Sequence, residues 1–266
     1  DLKSRYSKGR ERKTEIKIFD SVDVKKVVVK NAKLYVNRVD GFIGTSLRKE
    51  EFVEDCSDID DIIVFTQNGD MIVTKIDSKK FVAKNILFTS VFKKKDSRTI
   101  YNMIYKDGKT GTSYIKRFNV SGVTRDKVYN LTSQHVKTKV LHFSSNPNGE
   151  SEIVTIQLRQ SSSIKKLKWD LDFADLAIKG RSVKGNIVTK YPINKVIFKE
   201  KGLSTLKPRK IWFDDTVQRL NIDNRGDLLG EFKPDDDLLV VQQSGQLKIL
   251  PPDINMHFPE DLIILE

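Results

Sequence analysis

Val64-Phe65-Thr66-Gln67-Asn68-Gly69-Asp70-Met71-Ile72-Val73 decides the fold of this chain. Two runs of β-branched, aromatic and apolar residues flank an Asn-Gly pair. That pattern predicts a β-hairpin closed by a tight primed turn, in which both central residues take positive φ. Similar units recur on both sides. Leu34-Tyr35-Val36 leads through Asp40-Gly41 into Phe42-Ile43-Gly44, and Met103-Ile104-Tyr105 leads through Asp107-Gly108 into Tyr114-Ile115-Lys116-Arg117-Phe118. Ile153 to Leu158 leads through Ser161-Ser162-Ser163 into Ile164 to Leu167. Ile211-Trp212-Phe213 leads into Val217 to Leu220, and Leu238 to Val241 leads through Ser244-Gly245 into Leu247-Lys248-Ile249-Leu250.

These units start near 34, 62, 103, 153, 211 and 238, a mean spacing of about 41 residues. Periods of about 40–50 residues in an all-β sequence are those of propeller-like arrays. Equivalent positions then face the same way, so basic residues on the second strand of each unit are expected to line one rim. A β-sandwich with look-alike hairpins is the competing fold. The stretch Ser7-Lys8-Gly9-Arg10-Glu11-Arg12-Lys13-Thr14-Glu15 is polar and nearly free of large apolar groups. It predicts a linker over residues 1–24, with one β domain over 25–266.

The chain has 266 residues and a net charge of +12. The charge is unevenly spread. Residues 75–127 hold 14 basic and 4 acidic side chains, and 128–210 hold 16 and 6. Residues 1–74 are balanced at 14 of each, and 211–266 reverse the sign with 4 basic and 12 acidic. A basic middle of this size attracts a polyanion, and duplex DNA is the densest common one. No apolar run is long enough to span a membrane as a helix. The opening Asp1-Leu2-Lys3-Ser4-Arg5 has no apolar leader core. The single Cys56 excludes an internal disulfide framework and suits a reducing compartment.

Several chemical signals are weak. Asp107-Gly108-Lys109-Thr110 lacks the upstream glycine of a phosphate loop and reads as a hairpin turn. His135, His142 and His257 are dispersed, so no metal site is expected. Asp58, Asp60 and Asp61 read as a polar turn before a strand, and Cys56 as a buried small residue. No nucleophile–base pair stands out, so no catalytic residue is assigned.

With the hairpins stand several phrases: Gly9-Arg10-Glu11-Arg12-Lys13-Thr14-Glu15, Asp40-Gly41-Phe42-Ile43-Gly44-Thr45, Cys56-Ser57-Asp58-Ile59-Asp60-Asp61-Ile62-Ile63-Val64-Phe65, Ser113-Tyr114-Ile115-Lys116-Arg117-Phe118 and Gly122-Val123-Thr124-Arg125-Asp126-Lys127. Together the chain resembles the C-terminal domain of the A subunit of bacterial type IIA topoisomerases, topoisomerase IV or DNA gyrase, of the Bacteroidetes type. The resemblance implies an all-β β-pinwheel, a disc of five or six four-stranded blades whose basic perimeter binds, bends or wraps double-stranded DNA. It implies a domain that is not an enzyme by itself and needs no cofactor. The catalytic tyrosine lies in another part of such subunits, and ATP and Mg²⁺ are used elsewhere in the holoenzyme. It further implies a monomeric isolated domain, a B-subunit partner reached through the full-length protein, and a cytoplasmic, nucleoid-associated location. The Gln-Arg-Arg-Gly-Gly-Lys-Gly box of gyrase A subunits does not occur. The nearest phrase is Lys179-Gly180-Arg181-Ser182-Val183-Lys184-Gly185, which leans towards decatenation and relaxation rather than supercoiling.

Phosphate contact needs positive charge at intervals along a track. The expected DNA-binding residues are Lys79, Lys80, Lys84, Lys93, Lys94, Lys95, Arg98, Lys116, Arg117, Arg125, Lys127, Lys165, Lys166, Lys168, Lys179, Arg181, Lys184, Arg209 and Lys210. The competing function is a β-propeller scaffold whose basic face holds an acidic protein partner.

Overall fold

The decisive hairpin forms, with a different turn from the one expected. Only Gly69 takes positive φ (+84°), and its N–H bonds to the Thr66 carbonyl at 3.0 Å. This is an ordinary turn through Gln67 and Asn68, closed by a left-handed glycine. The computed structural model describes residues 30–266 apart from 95, 162, 163, 235 and 255. The linker expected over 1–24, the phrase Gly9 to Glu15, Lys95 and Ser162-Ser163 lie outside the described residues.

Each of the six hairpins read in the sequence opens its own small sheet. Sheet 1 starts with β1 (Ala32–Asn37) and β2 (Phe42–Gly44), and β3 (Glu51–Cys56) pairs back onto β1. Sheet 2 starts with β4 (Asp61–Thr66) and β5 (Asp70–Lys75). The chain then returns to sheet 1 and lays β6 (Lys80–Phe81) on the free edge of β2. Only afterwards does β7 (Ile86–Val91) join β4.

Sheet 3 repeats this move. β8 (Ile100–Lys106) and β9 (Ser113–Asn119) form its hairpin, β10 (Val128–Asn130) goes back to β5, and β11 (Lys139–Asn146) joins β8. Sheet 4 follows with β12 (Glu150–Leu158) and β13 (Lys168–Asp172), whose start lies just past the Ile164 to Leu167 run expected to form it. β14 (Ile178–Gly180) and β15 (Asn186–Thr189) return to β9, and β16 (Ile193–Ser204) joins β12. Sheet 5 holds β17 (Arg209–Asp214), β18 (Arg219–Asn221) and β19 (Asp227–Phe232). Sheet 6 holds β20 (Leu238–Gln242), β21 (Leu247–Leu250) and β22 (Leu262–Leu265).

Among the described residues the array is thus an all-β pinwheel with six blades, the upper of the two expected counts. Strand number varies: four in sheets 1 and 2, five in sheet 3, and three in sheets 4, 5 and 6. The cause is the donated outer strand. For sheet 4 it would have to come from the segment after β18. There Asn221 accepts from the backbone of Asp223 and Arg225 and bends the chain into a tight turn. For sheet 5 the return shrinks to a single bridge between Arg219 and His257.

The cores lie between sheets. In β4, Ile62 and Val64 face sheet 1 and join Leu34, Val36, Ile43 and Cys56. Their neighbours Ile63 and Phe65 face sheet 3 and join Tyr101, Met103, Tyr105 and Phe118. A strand buried on both faces reads as a continuous apolar run, as Ile62 to Phe65 does. Cys56 is buried as expected, and burial first of all pushes its thiol up to about 11. A third core joins sheets 3 and 4 through Ile104, Ile115, Val154, Ile156 and Phe173, and a fourth joins sheets 5 and 6. Among the described residues no cluster of buried apolar side chains bridges sheets 4 and 5.

Candidate nucleic-acid interface

The donated outer strands and the loops beside them carry a large share of the expected DNA-binding residues. Sheet 1 receives Lys79, Lys80 and Lys84 around β6. Sheet 2 receives Arg125 and Lys127 just before β10. Sheet 3 receives Lys179, Arg181 and Lys184 around β14 and β15.

Contacts join these three groups into one track. Lys80 Nζ bonds Asp126 at 2.8 Å and also donates to Thr74, so β6 touches the entry to β10. Those bonds, Lys80 first, hold the Asp126 carboxyl below its usual range. Arg181 lies over the Tyr129 ring, 4.5 Å from its centroid, and donates to the Gly122 carbonyl at 2.7 Å. Lys127 approaches the same ring at 5.4 Å. Tyr129 is itself fixed, its hydroxyl accepting from the Thr124 N–H at 2.8 Å. An aromatic ring that holds a guanidinium without neutralising it leaves the charge for an anion.

The Lys179–Gly185 phrase occupies a special place. β14 runs parallel to β9, with Ile178 opposite Arg117, and β15 runs antiparallel, with Asn186 opposite Ile115. The residues between them make a U-turn over the middle of β9. Lys116 sits beneath that turn. It is buried, and its Nζ donates to the carbonyls of Leu131 (2.6 Å), Arg181 (2.6 Å) and Val183 (3.0 Å). Burial pulls this ammonium down to about 8, and the three carbonyls work against that shift. Tyr105 adds a bond to the Lys184 carbonyl at 2.8 Å. Lys184 rests over Tyr114 at 4.4 Å and faces Asp107 at 3.6 Å. Its ammonium is held above the usual range, chiefly by the Tyr114 hydroxyl. At Gly185 φ is +98°, and a Cβ would stand 2.4 Å from the Ile115 carbonyl oxygen. The turn is therefore built rigidly from below, with Arg181 and Lys184 reaching outward.

Two expected DNA ligands are corrected. Lys116 is 4% exposed and Arg117 is 1% exposed. Neighbours on a strand point to opposite faces, and both faces of β9 are covered. Arg117 bridges sheets 3 and 4 instead. It donates to Asn102 Oδ1 (3.1 Å), the Phe173 carbonyl (3.2 Å), Thr205 Oγ1 (3.0 Å) and the carbonyls of Gly149 (3.1 Å) and Glu150 (3.3 Å). Asn102 in turn donates to Glu152, which also accepts from Ser144 and pairs with His142 at 2.8 Å. Neither cation can reach a phosphate.

The other expected residues sort by place. Arg125 is spent on Asp61 at 2.7 Å, so Asp61 belongs to an ion pair. Asp60 accepts from the Ser57 N–H, the polar turn that the sequence predicts. Lys93 and Lys94 are exposed between β7 and β8. Lys165, Lys166 and Lys168 are exposed around the β12–β13 hairpin of sheet 4, apart from the track. Arg98, Arg209 and Lys210 gather elsewhere, at a cleft beside β17. The sequence reading missed Tyr114 and Tyr129, which place the cations. Each lies within two residues of an Arg or Lys, and that interleaving was the available signal. Among the described residues no helix is long and apolar enough to cross a membrane, and no cluster of His, Cys, Asp or Glu is arranged to hold a metal.

A six-bladed pinwheel with donated outer strands, cationic along three consecutive edges, defines a class of domain built around its perimeter. The chain belongs to the family of the topoisomerase C-terminal domain of Bacteroidota, which it matches over residues 33–201 and 219–266. It is 31% identical over 199 residues to the A subunit of DNA topoisomerase 4 from Borreliella burgdorferi, a match covering 74% of this chain and 30% of that protein. The chain thus spans about a third of that relative's length. Two solved structures are also similar. The C-terminal domain of DNA topoisomerase IV has a TM-score of 0.44 at 11% identity, with 84% of each chain covered. The DNA gyrase A C-terminal domain has a TM-score of 0.35 at 11% identity, with 88% of this chain and 97% of that one covered.

Proposed function

We propose that this chain is the DNA-binding and DNA-bending domain of the A subunit of a type IIA topoisomerase. It holds duplex DNA along the edges of sheets 1, 2 and 3 and presents it to a breakage-reunion core elsewhere in the full-length protein. The domain itself makes and breaks no covalent bond and uses no cofactor. Its partners are duplex DNA and, through the full-length protein, the ATP-hydrolysing B subunit, in the bacterial cytoplasm. The observation that carries this reading is the continuity of the track, from Lys80 through Asp126 to Tyr129 and Arg181.

The charge on the track gives a magnitude. Of its eight cations, Lys80, Arg125 and Lys184 face carboxylates, and the other five make no ion pair among the described residues. Five phosphate contacts give a log–log salt slope of about −4.5, or about a 500-fold loss of affinity over a fourfold rise in salt. Bending a site of 20–30 base pairs around the disc costs a few kcal/mol, offset by contacts that a straight duplex would miss. The test is fluorescence anisotropy with a short duplex across a salt series. Replacing Lys127 and Arg181 by alanine is expected to flatten the slope by about two phosphates' worth. An affinity indifferent to salt, or a slope unmoved by the double variant, overturns the reading. Ligation of nicked circles with the bound chain then tells wrapping, which shifts linking number, from bending, which does not.

A further inference from the structure

The cleft beside β17 lies away from the track. It has a volume of about 440 Å³ and is lined by Arg98, Lys207, Arg209, Lys210, Trp212 and Leu206, among others. Arg98 stands at the entry to β8 of sheet 3, and the rest lead into or belong to β17 of sheet 5. The lining runs from the segment before β8 to the β16–β17 connection and β17. The family match stops at residue 201 and resumes at 219, so five of these six residues fall between its two stretches.

Four cations share this cleft, and the carboxylates that act on Arg98 and Arg209 are Asp96, Glu150 and Asp253. Arg98 Nε is buried with no hydrogen-bond partner. Arg209 is lowered first by burial and next by Arg98 itself, so the two guanidiniums repel across the cleft. Two of these carboxylates also hold other donors. Asp96 accepts from the backbone of Arg98 and Thr99 and from the Thr99 hydroxyl, and Glu150 pairs with Lys201 at 2.8 Å. An unpaired buried N–H beside a second guanidinium is costly, and a multivalent anion with several acceptor oxygens relieves both costs. Trp212 adds a flat apolar wall in a volume typical of small-ligand sites.

From this geometry we infer that the cleft is a nucleotide site, with phosphates between Arg98 and Arg209 and the base against Trp212. The phosphate can come from a free nucleotide or from a DNA strand reaching the cleft; the inference stands whether or not the track binds duplex.

The test is titration of the 266-residue chain with ADP, and separately with pyrophosphate, following Trp212 emission in a Trp169→Phe background at low salt. A saturable change is expected, and Arg209→Gln is expected to weaken binding about tenfold or more, the value of a lost charge-assisted contact. Because Arg209 also donates to the Pro252 carbonyl, a second variant, Lys207→Gln with Lys210→Gln, changes only exposed side chains. It is expected to weaken ADP severalfold with an unchanged melting temperature. A signal that fails to saturate at millimolar ADP overturns the inference, as does an affinity indifferent to both variants. Repeating the titration with saturating duplex tells the sources apart. Weakened ADP binding assigns the cleft to a DNA strand, and unchanged binding assigns it to a free nucleotide. If the duplex fails to bind at all while ADP saturates, the track reading fails and this one stands.

Discussion

Replacing Arg117 by methionine separates a structural cation from a DNA-contacting one. Methionine keeps most of the volume and removes all five donors. Two acceptors keep another partner: the Phe173 carbonyl retains the Leu176 N–H at 3.1 Å, and the Gly149 carbonyl retains the Thr205 N–H at 3.1 Å. Asn102 Oδ1 loses its charged donor inside the 3–4 interface, and Glu152 loses the positive charge that faces it across Asn102. Breaking a buried charged network by removing one partner costs about 3–5 kcal/mol. For a domain of this size that lowers the melting temperature by about 10 °C. Urea unfolding followed by tryptophan emission reads it well, since Trp169 lies on β13 and Trp212 on β17. Below the new melting temperature, duplex affinity and its salt slope should equal those of the parent chain. A stability loss under about 1 kcal/mol refutes the interface role. A fall in affinity like that of Arg181→Ala, at unchanged stability, returns Arg117 to the DNA surface.

Other outcomes follow from the same packing. Tyr129→Leu removes the ring under Arg181 and Lys127, and duplex affinity should fall about threefold to tenfold at constant stability, measured by anisotropy. Gly185→Ala should cost about 2 kcal/mol in a melt and also weaken DNA binding, because the left-handed turn and the Ile115 carbonyl both resist a Cβ. Stability should depend on alkaline pH in two opposed steps. Lys116 titrates near 8 in the fold and near 10.5 when unfolded, so the unfolded state holds more protons in between and stability rises across that window. Buried Tyr101 and Tyr105 are held well above the usual tyrosine value of 10, chiefly by burial. They keep protons that the unfolded chain loses, so stability falls above about pH 10. Urea midpoints across this range should show the rise vanish in Lys116→Met and the fall persist.

The six hairpins were legible because each is local: apolar alternation, a turn residue and a second run fit within about 20 residues. The donated strands were not. Lys80–Phe81, Val128–Asn130 and Ile178–Gly180 are two or three residues long and pair with strands far back in the chain. Such pieces carry no periodicity of their own. The basic middle of the chain was readable as charge, but its division was not. Lys116 and Arg117 look like Lys179 and Arg181 in sequence, and only the cover on both faces of β9 turns the first pair into internal fasteners. The signal at hand was their neighbourhood: Tyr114 and Ile115 precede them and Phe118 follows on the same short strand, so the pair lies inside an apolar run.

The returning strands also order events during synthesis. When β3 leaves the ribosome, sheet 1 has three strands and a bare edge on β2, and the piece that covers it arrives only after the β4–β5 hairpin has emerged. Sheet 2 waits in the same way for β10, and sheet 3 for β14 and β15. Each of the first three blades is locked by its successor, like links closed one behind the other. A nascent chain arrested after β9 carries an unfinished sheet 2, open to proteases and to stray strands. Only release past Thr189 closes sheet 3, the last of the three, and completes the cationic track.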